Sequence, residues 1–233
     1  MKSFLAVLLI SHIAAGTIAL LTGLIPMLAQ KGGKLHNRAG LVYVWCMIYV
    51  AGSAMLLCLL QEFKLFRMFL AGIAVFSFYL SFTGWRAVLQ KRAKIGPAQT
   101  DKWITYGTII VSLAMTGFGG WLLYRNGPAF MAIIFTFFGI LTFTFSRRDF
   151  VQLNKPQAKM QRETAPWLFQ HFTRMSGSYI ATFTAFLVNN MYRMIPANTP
   201  DWIQTTGWIA PSLIGSVLIY RTVVYYRKKF NMA

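Results

Sequence analysis

Seven long, mainly apolar stretches dominate this chain, and they leave it few ways to fold in water. A helix needs roughly 20 such residues to cross a bilayer, because the hydrocarbon core is about 30 Å thick and the helical rise is about 1.5 Å per residue. The stretches lie near Phe4 to Ala29, Ala39 to Leu60, Leu65 to Leu89, Trp103 to Tyr124, Ala129 to Phe145, Trp167 to Met191 and Trp202 to Tyr226. Charge, Gly/Pro or Asn separates each from the next, and the fifth is the shortest. The expected fold is all-α: a polytopic transmembrane bundle of seven helices forming one integral membrane domain over residues 1–233.

Charge alone would point elsewhere. Lys and Arg number 23 against 5 Asp and Glu, a net charge of +18, yet 56% of the 233 residues are hydrophobic and only 12% charged. A nucleic-acid binder of that charge would carry a polar, cation-dense surface, so the class reads as membrane protein and excludes nucleic acid, a disordered tail and a disulfide scaffold. Eighteen of the cations fall in the first-to-second, third-to-fourth and fifth-to-sixth connections with their flanks and in the C-terminal tail. The other five are Lys2, Lys64, Arg67, Arg125 and Arg193. Cytoplasmic loops retain cations, so the N-terminus is expected outside and the C-terminus in the cytoplasm. The stretch from about Ser146 to Pro166 reads as a basic cytoplasmic surface loop, with anionic lipid headgroups as its default partner. Lys2 and Ala14-Ala15-Gly16 imitate a signal peptide, but the apolar run continues through Leu24-Ile25, which favours an uncleaved span.

Polar groups inside a bilayer are costly, and those that remain are the candidates for function. His12 lies within the first stretch, with Gly16, Ala19 and Gly23 at helical spacing on a face that another helix can approach closely. Either a packing histidine bonded to a neighbouring helix or a ligand or proton-transfer role fits. The sixth stretch carries a polar stripe at steps of three and four: His171, Met175, Ser178, Thr182, Ala185 and Asn189. Ser178, Thr182 and Asn189 would line a polar cavity. His36, in Lys34-Leu35-His36-Asn37-Arg38, reads as a solvated loop residue or as a cover over the inner mouth. Asp149, Glu163, Arg38, Arg174 and Asp101 fall at the same membrane level as His36 and His171, so a cluster there is possible. His12 stands about 25 Å from the inner end of its helix at 1.5 Å per residue, too far to share a metal with His36.

No Walker loop, His-Glu-x-x-His, Cys-x-x-Cys or Gly-x-Ser-x-Gly occurs. Cys46 and Cys58 share the second stretch, about 18 Å apart along a helix, and cannot bond to each other.

The His12-x-x-x-Gly16 segment with Ala19 to Gly23, then Leu35-His36-Asn37-Arg38-Ala39-Gly40 and Tyr43, resembles a group of bacterial integral membrane proteins classed as a domain of unknown function. His171-x-x-Arg174-Met175 and Tyr179 to Phe186 are similar to it too. In that group the loop reads His-Arg, whereas Asn37 intervenes here. The resemblance implies a multi-helix protein of the bacterial cytoplasmic (inner) membrane whose histidines His12, His36 and His171 line a site, and it implies no activity.

Three functions are consistent with these features. The first is a histidine-centred site for a metal ion or haem, serving redox or hydrolytic chemistry. His36 and His171 would be ligands, Asp149 or Glu163 an oxygen ligand or orienting group, and Arg38 or Arg174 the holder of an anionic group. The second is a small-solute or proton-coupled transporter with His12 as relay. The third is an accessory subunit packed against a partner complex.

Overall fold

A computed structural model describes residues 2–93, 98–154, 166–194 and 200–230. Among them run seven helices: α1 (Lys2–Leu28), α2 (Lys34–Leu60), α3 (Leu65–Ala93), α4 (Gln99–Asn126), α5 (Phe130–Leu153), α6 (Pro166–Met194) and α7 (Asp201–Lys229). Six are long and apolar enough to cross a membrane. The other, α6, has the length at 29 residues, but Gln170, His171, Asn189 and Asn190 dilute its hydropathy.

The helices overrun their apolar windows. α2 begins at Lys34 and α5 continues to Leu153, so His36 and Arg147 to Asp149 are helical rather than loop residues. Charged side chains do not break a helix; they mark where hydrocarbon ends, which is a different boundary.

The outside is apolar and the inside is where small hydroxyls sit. Ile10 and Leu28 are 67% and 81% exposed, whereas Ser112, Thr142 and Ser146 are 0% exposed. The buried hydroxyls are satisfied locally. Thr142 donates to the Phe138 carbonyl at 2.7 Å and Ser146 to that of Thr142 at 3.0 Å. Such bonds to the preceding turn let a polar residue sit in a helix without a partner from water, as a lipid-surrounded bundle requires.

The chain divides into two compact units, residues 1–82 and 83–233, with the boundary inside α3. In the first, α1 and α2 form a tightly packed hairpin in which Ala19 is fully buried. Gly32 makes the turn at φ +77°, a conformation that residues with a Cβ adopt rarely.

In the second unit, α4 and α5 pack through a reciprocal contact. A Cβ on Gly119 would come within 2.5 Å of the Thr136 backbone nitrogen, and one on Gly139 within 2.6 Å of the Thr116 nitrogen. Each helix therefore carries Thr-x-x-Gly, and the two copies face each other head to tail about the Gly127 turn, where φ is +69°. α5 meets α7 through Phe138 edge-on to Trp208. α6 lies against α7 where Gly207 faces Met191 and Gly215 faces Ile180. The last turns of α3 touch α6 at Gly84, whose absent Cβ leaves room for Met175 and the Arg174 Cβ.

Because Gly139 faces backbone, a side chain there must part the helices. Gly139→Val is expected to destabilise the protein by about 1–3 kcal/mol, the usual cost of overpacking. Gly117→Ala, at a mid-helix position with nothing within 4 Å, should leave the melting temperature in detergent no lower than the parent's, since alanine favours the helix. Thermal unfolding of the two variants side by side checks both.

Candidate functional site

The polar residues of the second unit converge at one end, where α3 finishes, α4 starts, α5 finishes and α6 starts. Arg174, on α6, is 2% exposed and donates through Nη2 to Oδ1 of Asp149 on α5, itself 5% exposed. The same nitrogen reaches the Phe145 carbonyl at 3.2 Å, and the guanidinium lies 4.6 Å from the Phe145 ring centroid. Burying a lone charge of either sign would be prohibitive, so each of these residues is tolerated because of the other.

A second pair joins α3 to α4. Arg86 donates to Asp101 with both edges of its fork, Nε to Oδ1 at 2.8 Å and Nη2 to Oδ2 at 2.9 Å. Asp101 also accepts from Gln90 Nε2 at 3.1 Å and from the Ala98 backbone N–H at 2.8 Å. The last bond places a carboxylate over the first turn of α4, where orphan N–H groups and the helix dipole favour negative charge. Asp101 is thus saturated as an acceptor.

Between these pairs lies a cavity of about 50 Å³, lined by Thr83, Arg86, Gln90, Asp101, Thr105, Asp149, Gln152, Leu153 and Gln170. Four helices contribute to it, and each ionic group in its lining is paired: Arg86 with Asp101, and Asp149 with Arg174, which is not itself part of the lining.

His171 is one residue from this lining and is turned to structure. Its Nδ1 lies 2.9 Å from the Gly84 carbonyl, so Nδ1–H is the donor, and the bond ties α6 to α3 at their closest approach. His36 does the same in the first unit. Its Nδ1–H donates at 3.1 Å to the Pro26 carbonyl, which also accepts from Lys31 Nζ at 2.8 Å. Two cationic or N–H side chains thereby cap the open carbonyl end of α1. His12, expected to point into the bundle, bonds through Nδ1 to Ser53 Oγ on α2 at 2.8 Å. Ser53 spends its own proton on the Tyr49 carbonyl at 2.7 Å, so His12 is the donor.

Of the expected metal ligands His36, His171, Asp149 and Glu163, His36 lies in the first unit and His171 and Asp149 in the second. Asp149 is neutralised by Arg174, His36 and His171 give Nδ1–H to backbone carbonyls, and Glu163 lies outside the described residues. Among the described residues no three His, Cys, Asp or Glu side chains come together as ligands would. Arg38 is exposed. The polar stripe on α6 divides by burial. Ser178 is fully buried, Thr182 donates to the Ser178 carbonyl at 3.0 Å, and Asn189 is exposed and donates to that of Ala185 at 2.7 Å. Of the residues anticipated from the sequence, Asp101, Asp149 and Arg174 do meet at one end. Arg86, Gln90, Gln152 and Gln170 were missed as a site. The available signal was Arg86 and Gln90 at one-turn spacing on α3, followed by Asp101 three residues after the Ala98 cap.

Comparison with protein-family models, with curated proteins and with solved structures gives no match.

Removing one member of the Asp149–Arg174 pair strands the other. Arg174→Met alone should cost about 3–5 kcal/mol, while Asp149→Leu combined with Arg174→Met should recover most of the loss. A double-mutant cycle on unfolding in detergent measures the coupling, and independent, additive losses would contradict the pairing.

Proposed function

We propose that this protein handles a small solute in a bacterial cytoplasmic membrane, and that the charge-balanced cavity at the end of the second unit is where the solute binds. The N-terminus is placed outside and the C-terminus in the cytoplasm, which puts the cavity at the cytoplasmic side. The 18-to-5 partition of cations supports this orientation. The bacterial setting rests on the likeness of the His12–Gly16 and Leu35–Gly40 segments to the family described above. α6 then crosses the bilayer with Ser178 of its polar stripe buried and Asn189 exposed near its far end.

One observation carries the reading: a cavity walled by Arg86, Gln90, Asp101, Asp149, Gln152 and Gln170 in a chain whose outward surface is apolar. Buried ionisable and amide groups gathered around a cavity are candidates for contact with a bound solute. A metal or haem centre is the weaker reading, because Asp149 is already paired with Arg174 and no three His, Cys, Asp or Glu side chains come together among the described residues. Carrier or channel activity is preferred to catalysis because the site offers hydrogen bonds and balanced charge rather than an activated nucleophile.

Two measurements test this. Single cysteines at Arg125 and Lys228, in a Cys46→Ser, Cys58→Ser background, should react with an impermeant maleimide from opposite sides of the membrane. In proteoliposomes, permeation of at least one class of small solute, whether uncharged, cationic or anionic, should exceed that of empty liposomes. Permeabilities equal to the lipid background for all three classes would sink the proposal.

A further inference from the structure

Resting on that reading, we infer that the cavity is selective for small uncharged solutes carrying both N–H donors and a C=O acceptor, the urea and simple carboxamide class. Charge decides first. Arg86 is spent on Asp101 and Arg174 on Asp149, so an entering ion finds no uncompensated opposite charge to replace its hydration. Moving an ion out of water without such a partner costs far more than moving a neutral polar group that regains its hydrogen bonds.

What remains on offer carries no net charge. The Gln90 amide has given one N–H to Asp101 and keeps its carbonyl oxygen. Gln152 and Gln170, both half-buried, face the cavity with side-chain amides that form no hydrogen bond among the described residues. Each presents a donor and an acceptor side by side, the complement of another amide placed head to tail. The Nη1 of Arg86, likewise without a partner among the described residues, adds a donor suited to a carbonyl oxygen.

Size is compatible with that class. A cavity of about 50 Å³ corresponds to about four waters, at roughly 10–15 Å³ each on this measure. Formamide, urea and acetamide fit that space.

Stopped-flow light scattering on proteoliposomes tests the class with formamide, urea and acetamide against ammonium, guanidinium, formate and nitrate. The amides should permeate faster than through empty liposomes and the ions should not. Gln152→Leu with Gln170→Leu should cut amide permeation about tenfold, the loss of one good hydrogen-bonding pair, whereas Gln152→Asn with Gln170→Asn should restore part of it. Melting temperatures of both variants near that of the parent would show that the fold is kept. Saturation-transfer NMR of formamide on the detergent-purified parent reads contact without relying on either variant. Faster permeation by ions and not by amides would overturn the selectivity while leaving a solute site in place. Background rates for every solute, with no NMR contact, would overturn both.

Discussion

The contact between Arg174 and Asp149 is the constraint around which the second unit is arranged. Neither charge is admissible alone at 2% and 5% exposure, so α5 and α6 must bring them together whatever else they do. That requirement aligns the end of α5 with the start of α6. Gly84 then lets α3 close on the same turn, where His171 adds its bond to the Gly84 carbonyl. The cavity follows from this convergence: four helix ends held at one level by two ion pairs leave a gap that the short side chains Thr83 and Thr105 do not fill.

Much of the fold is legible in the sequence because hydropathy reports directly on lipid contact. All seven helices coincide with the apolar stretches, and the departures are at their ends. Arg147, Arg148 and Asp149 look like the start of a loop, but they extend α5 by two further turns, and that extension is what carries Asp149 to Arg174. The site is less legible, since its pairs are separated by 15 and 25 residues and depend on how each helix is rotated about its axis. One chain of letters shows which polar residues share a level, as it does for Asp101, Asp149 and Arg174. It does not show which of them face each other.

The histidines illustrate the same limit from the other side. They are conspicuous as the three imidazoles of an apolar chain, and each resolves into a hydrogen bond between helices or to a helix end. His12 holds Ser53, His36 holds the Pro26 carbonyl near the end of α1, and His171 holds α6 to α3. In a medium without water, a ring N–H aimed at a backbone carbonyl is among the few ways to join two helices strongly without charge. The glutamines, less conspicuous, are the ones left facing open space.

The facing Thr-x-x-Gly motifs of α4 and α5 work as a vernier for the distant end of the hairpin. Thr116 with Gly139 and Thr136 with Gly119 fix the axial register from both directions at once, since sliding either helix would drive a glycine slot against a bulky neighbour. Thr105 and Asp149 stand about 15 Å from that lock at 1.5 Å per residue, and a slip of a single residue would shear one wall of the cavity past the other by about 1.5 Å. The aperture of the cavity is therefore calibrated by four small residues that never touch its contents.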